Sequence, residues 1–192
     1  MNFLGHLYFS SNDLELMYAN LFGDFVKGKA MFDYPEKIQT GIQLHRSIDT
    51  YIDTHQEVRK LLKMLYPDLP KVSSVAVDLF FDHLLAVNWK NYHSTELLDF
   101  LEDFYAYQPE NWPFYSEKFK SFIAVMRNRK WMNSYQMREG LEKSCSGVGS
   151  RISFPNLLHI APQCFDRFYD EIYGCFENFM GDAKLHFGMN KL

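Results

Sequence analysis

A chain of 192 residues with 47% hydrophobic and 23% charged residues can bury a core of its own and is too balanced to be disordered throughout. Twenty Lys and Arg against twenty-four Asp and Glu leave a net charge of −4, which excludes the broad basic field of a general nucleic-acid binder. The longest stretch without Asp, Glu, Lys or Arg, 152–165, holds two prolines and falls short of the ~20 apolar residues of a membrane span.

The opening MNFLGHLYFS is apolar but has neither a basic n-region nor a small-residue cleavage site, so a secretory signal is not expected and a cytoplasmic setting is. Asn12 with Glu15 three residues on reads as a capping pair for a helix that stops near Gly28. Pro35 suits the first turn of a third helix, whose Ile38, Ile42, Ile48 and Ile52 keep one apolar face through His45-Arg46. Thr54 and Glu57 repeat the capping pattern. After the break at Pro67–Pro70, Ser73 or Ser74 is placed to cap a helix that is apolar nearly all round, the expected central helix of 73–89. Further helices are expected over 95–107, 113–128, 134–143 and 165–185. With no alternating runs and no hairpin turns, the expectation is an all-α, single-domain helical bundle over 1–192. Cys145, Cys164 and Cys175 are odd in number and lack a C-x-x-C pair, so neither a disulfide framework nor a thiolate metal site is indicated.

Chemistry enters through ionisable residues set in the most apolar stretches: His6, Asp24 and the pair Asp82-His83. An ionised carboxylate there must be paired, protonated or bound to a metal. Residues four apart share a helix face, and Asn2 with His6, Asn20 with Asp24, His45 with Asp49, and Asp78 with Asp82 all obey that spacing. Each pair sets a second polar group beside a potential ligand, so Asn2, Asn20 and Asp78 are the candidate supports. Asp53 extends the His45 stripe. Imidazole and carboxylate without thiolate favour manganese, iron, magnesium or zinc held between helices, and metal-assisted hydrolysis is the leading chemistry. The competing reading is structural: a His on an apolar face is more often a hydrogen-bonded core residue, and His45-Arg46 with Asp49 equally describes an ion-pair network. Arg127, Arg129 and Lys130 form one basic cluster, and Lys27, Lys29 and Lys37 a second, each able to receive an acidic partner.

The segments N-F-L-G-H-L at 2–7, N-L-F-G-D-F-V-K-G at 20–28, H-R-S-I-D at 45–49 and D-H-L-L at 82–85, taken in that order, closely resemble the bacterial acyl carrier protein phosphodiesterases. A loose echo follows at Gly147–Arg151. The resemblance implies a divergent, HD-domain-like phosphohydrolase, although the usual His-Asp doublet is missing and the adjacent pair reads Asp82-His83. It implies hydrolysis of holo-acyl carrier protein to apo protein and 4′-phosphopantetheine with a divalent metal, most often manganese or else magnesium. On that footing Asp24, His45, Asp82 and His6 are the expected metal ligands, His83 a further ligand or proton carrier, Arg46 the neutraliser of phosphodiester charge, and Asp49 a base or an orienter of His45. Carrier proteins are acidic, which gives the two basic clusters their expected partner. An HD-like enzyme acting on a small phosphate ester, or a helical binding protein without catalysis, are the alternative readings.

Overall fold

The computed structural model describes residues 1–189, and among them every regular element is a helix. Ten α-helices follow in chain order: α1 Phe3–Phe9, α2 Leu14–Leu21, α3 Glu36–Thr54, α4 Gln56–Leu65, α5 Ser73–Val87, α6 Leu97–Ala106, α7 Glu117–Arg129, α8 Arg138–Gly149, α9 Ala161–Arg167 and α10 Tyr169–His186. Short 3-10 turns link them, of which Phe22–Phe25 and Gly28–Asp33 lie between α2 and α3. The all-α expectation holds, and among the described residues no helix is long and apolar enough to cross a membrane.

The expected central helix is α5, buried from Leu79 to Ala86 and packed on α1, α4, α8 and α10. Phe81 meets Phe176 and Phe179 of α10, so aromatic area supplies much of the core between these helices. Helix α3 lies across α2. At the crossing Gly41 has no room for a side chain, because a Cβ would run into Ala19 and the backbone of Asn20. That close approach brings the C-terminal half of α2 alongside the His45 face of α3.

Several helix starts differ from the sequence reading. Asp13, not Asn12, caps α2 by accepting from the Leu16 N–H at 2.9 Å, and Asn12 instead meets His93. Thr54 gives its hydroxyl to the Thr50 carbonyl at the end of α3, leaving His55 at the start of α4. The expected 165–185 helix is two, broken at Phe168.

Helix α1 has its cap from a distance. The carboxylate of Asp82 on α5, buried, accepts from the backbone N–H groups of Asn2, Leu4 and Gly5 at 3.2, 2.8 and 3.0 Å. These are the free donors of the first turn of α1, at the positive end of its dipole. Burial pushes the Asp82 carboxyl up to about 7, opposed by the N-terminal ammonium and by the Leu4 and Gly5 N–H groups. Asp78, one turn earlier, pairs with that ammonium at 2.8 Å. Asp82 is thus a remote helix cap and not a member of the ligand group expected from the sequence. Replacing it with Ala strands two buried donors and a half-buried one and should cost about 3 kcal/mol. Thermal unfolding should register this as a drop in Tm of roughly 6–12 °C; an unchanged Tm contradicts the capping role.

Candidate metal centre

Three helices and one 3-10 turn converge on a pocket of about 370 Å³ beside the N-terminal end of α1. His6 comes from α1, His45 and Asp49 from successive turns of α3, and Asp24 from the 3-10 turn that ends α2. The two imidazoles stack with centroids 4.2 Å apart. Both direct Nε2 at one carboxylate: His6 lies 3.3 Å from Asp49 Oδ1, and His45 lies 3.2 Å from Asp49 Oδ2. Asp24 Oδ1 approaches His45 Nε2 from the other side at 3.3 Å. One ligand atom each from His6, His45 and Asp49 fit within 4.8 Å of one another, the spacing of groups that share an ion.

The tautomer of His6 is fixed by its neighbours. The buried Asn20 amide donates through Nδ2 to the His6 carbonyl and to Ser10 Oγ, both at 2.9 Å. Its Oδ1 is therefore the atom facing His6 Nδ1, also at 2.9 Å, and it accepts the Nδ1–H. With the proton held at Nδ1, the His6 Nε2 presents a lone pair to the Asp49 carboxylate. Burial holds His6 below its ordinary pKa, opposed by the Asp49 contact, so a second proton on Nε2 is disfavoured. Burial alone would raise Asp49, but positive charge at the His6 and His45 Nε2 positions, from a proton or from a cation in its place, holds it below the usual carboxylate range. A neutral imidazole and an ionised carboxylate, lone pair to lone pair, make a site that a cation completes.

The far wall carries more acid. Asp53 and Asp78 line the same pocket, and burial, with the like charges of Asp78 and Asp49, raises Asp53 against the lowering effect of the terminal ammonium. Among the described residues four carboxylates, one terminal ammonium and no Lys or Arg line this pocket. Such a wall repels a phosphate unless a metal ion reverses the local field.

Of the sequence candidates, His6, Asp24, His45 and Asp49 are brought together, Asn20 stands behind His6, and Asn2 and Asp78 line the pocket. Asp24 is exposed at the pocket mouth rather than sunk in the core that its apolar neighbours suggested. His83 faces away: its Nδ1 meets the Tyr135 carbonyl at 2.6 Å and its ring abuts Phe165, because neighbours on a helix diverge by about 100°. Arg46 is also elsewhere. Its Nη2 donates to the carbonyls of Val26 and Gly28 at 3.0 Å each, so the guanidinium ties down the turn after Asp24 rather than standing free for a phosphodiester.

The basic clusters divide too. Arg127 is structural, donating to Tyr18 Oη at 2.9 Å and to the Tyr107 carbonyl beneath Trp112. Lys130 pairs with Glu102 at 2.6 Å, and Lys37 with Asp13. Lys27 and Lys29 are exposed beside Gly28, and Arg129 borders a separate cleft. Two contributors escaped the sequence reading. Ser10 anchors Asn20, and Gly23 lies against His45, where a Cβ would clash with the imidazole Cγ and Cβ. A glycine inside the N-L-F-G-D run was the available signal for that approach.

Comparison with known proteins identifies the family. A family model described as acyl carrier protein phosphodiesterase matches residues 1–183. The chain belongs to the acyl carrier protein phosphodiesterase family. A relative of that name from Klebsiella pneumoniae (strain 342) is 28% identical over 183 residues, covering 93% of each chain. Another from Yersinia pestis is 29% identical over 152 residues, covering 79% of each. No solved structure matches. Three of the four quoted motifs reach the centre: the first lines the pocket with Asn2 and His6, the second with Asp24, backed by Asn20 and Gly23, and the third with His45 and Asp49, while D-H-L-L at 82–85 stays outside it.

Two substitutions that remove no ligand should disturb the centre. Gly23→Ala, by displacing His45, and Asn20→Ala, by releasing the His6 tautomer, should each lower affinity for a divalent cation, with Mn²⁺ as the probe, about 10- to 100-fold. Calorimetric titration measures this directly, and affinities equal to wild type would detach both residues from the site.

Proposed function

We propose that this chain is a divalent-metal phosphodiesterase that releases 4′-phosphopantetheine from holo-acyl carrier protein. The observation that carries the reading is the His6 Nε2 lone pair set against the Asp49 carboxylate in a pocket walled by acids, an arrangement suited to a cation and, with that cation, to a phosphate. Family membership and the names of the relatives support the substrate. His6, His45, Asp49 and Asp24 would hold the ion. A donor set of imidazole and carboxylate without thiolate fits manganese first, with magnesium, iron or zinc as alternatives. When bound, the ion supplies Lewis acidity at the phosphoryl group and a more acidic water.

The chain's own residues do the rest. Asn20 and Ser10 fix the His6 ring so that Nε2 faces the reaction centre without a proton. Asp49, fixed between the two imidazoles, sets their separation. Attack by the oxygen of water on phosphorus breaks the bond from phosphorus to the serine oxygen, which must leave with a proton. Asp53, on the wall of the same pocket, is the carboxyl we assign to deliver that proton. Asp82, His83 and Arg46 act through the scaffold.

The test is direct. Purified protein with Mn²⁺ should convert holo- to apo-acyl carrier protein, with a mass loss equal to phosphopantetheine, and a chelator should abolish turnover. Asp49→Ala and His45→Ala should each reduce kcat/KM by about a hundredfold or more while leaving the helical circular dichroism intact. Turnover persisting in chelator, or in either folded variant, removes the metal mechanism; a preference for nucleotides over holo-carrier protein removes the substrate.

A further inference from the structure

A second cleft, of about 250 Å³, adjoins the acidic pocket and shares Asn2 and Phe3 with it. Its chemistry is the reverse. Phe3 and Trp131, with centroids 6.1 Å apart, form an aromatic floor, and Phe122 backs both rings. Arg129, from the end of α7, and Lys143 and Arg151, from α8 and the turn after it, supply the rim. No Asp or Glu lines the cleft.

The three cations differ from their neighbours in lacking counter-charges. Lys130 has Glu102, Arg138 has Asp166, and Arg167 has Asp68. Among the described residues, Arg129, Lys143 and Arg151 have no carboxylate within ion-pair distance. In a chain of net charge −4, three unpaired cations around one aromatic-floored cleft create a local field opposite to the global one. Arg151 also ends the Gly147–Arg151 segment, for which the metal centre gives no use.

We propose that this cleft receives an acidic surface of the carrier protein next to its modified serine. The phosphodiester then lies over His6, His45 and Asp49, with Asn2 and Phe3 at the threshold, while the partner's carboxylates meet Arg129, Lys143 and Arg151. This assignment rests on the carrier-protein reading above and extends it by naming where the protein part of the substrate docks. A neutral pantetheine arm would have no use for three cations, and a bare phosphate is accounted for in the acidic pocket.

Lys143 and Arg151 are exposed, so charge reversal leaves the core untouched. The paired variant Lys143→Glu with Arg151→Glu should raise KM for holo-carrier protein about tenfold or more, with kcat nearly retained, and should flatten the salt dependence of kcat/KM between ~50 and ~200 mM salt. Lys63→Glu on α4, an equal type of charge change on another face, is the control. A KM unchanged in the paired variant, or raised as much by Lys63→Glu, overturns the docking cleft while leaving the activity standing. Titration with apo-carrier protein separates the two layers. If wild type releases no phosphopantetheine, the substrate reading fails, and salt-sensitive binding of apo-carrier protein that the paired variant loses still supports the cleft. Equal binding by wild type and variant overturns it, as does binding of pyrophosphate with none of carrier protein, which would mark a small-polyanion site.

Discussion

The buried carboxylate of Asp82 holds the structure's chemistry in place although it belongs to none of it. It gathers the first N–H groups of α1, about eighty residues away in sequence, and so fixes the start of α1 on the central helix α5. His6 lies one residue beyond the last of those donors. Without a stationary α1, the His6 imidazole has no reason to stack on His45 or to share Asp49 with it. A carboxyl buried this deeply is tolerated only because its oxygens are filled and a helix dipole and the terminal ammonium face it. A helix of seven residues, too short to be stable alone, gains its rigidity from this tertiary cap.

Around that anchor the molecule separates its charges. The acidic pocket collects Asp24, Asp49, Asp53 and Asp78, and the adjoining cleft collects Arg129, Lys143 and Arg151, with Asn2 and Phe3 between them. An acidic pocket alone is a poor host for a phosphodiester, and a basic cleft alone would bind anions without reacting with them. Side by side, and with a cation in the first, they suit a substrate whose phosphate is attached to a larger anionic body. The small net charge of the chain conceals this arrangement.

What could be read in advance was what helical periodicity carries. His45 and Asp49 are four apart on a long amphipathic helix, and the structure sets both on the same face toward one point. The central helix, too, was visible in its uninterrupted apolar run. Long-range partners were not. Asn20 is spaced to serve Asp24, yet it serves His6 across two helices, and Asn2 offers Asp82 its backbone where its spacing suggested a role beside His6. Asp82 looked like a ligand because a carboxylate in an apolar helix needs a partner; composition gives that need, but not whether a metal or three amide groups will meet it. The helix starts at Asp13 and His55, and at Val72 where Ser73 or Ser74 was the expected cap, show the same limit, since capping depends on which neighbour the fold presents.

Arg46 shows how far such a displacement alters the meaning of a residue. In the sequence it stands beside His45 and invites an electrostatic role, but its guanidinium bridges the carbonyls of Val26 and Gly28 and rests on Met31. Those carbonyls follow directly on the turn that carries Asp24, the most exposed of the clustered groups and the one on the least regular backbone. A 3-10 turn has weaker hydrogen bonds than a helix, so a side chain that grips two of the carbonyls following it supplies rigidity the backbone lacks. Lysine at this position would keep the charge but not the second nitrogen, Nη1, that rests on Met31 while Nη2 holds both oxygens. Arg46 therefore bears on the centre through the position of Asp24 and not through its own field, and the same logic places Asp82, Asn20 and Gly23 in the service of the two histidines: four residues that touch no reactant decide where the ligands stand.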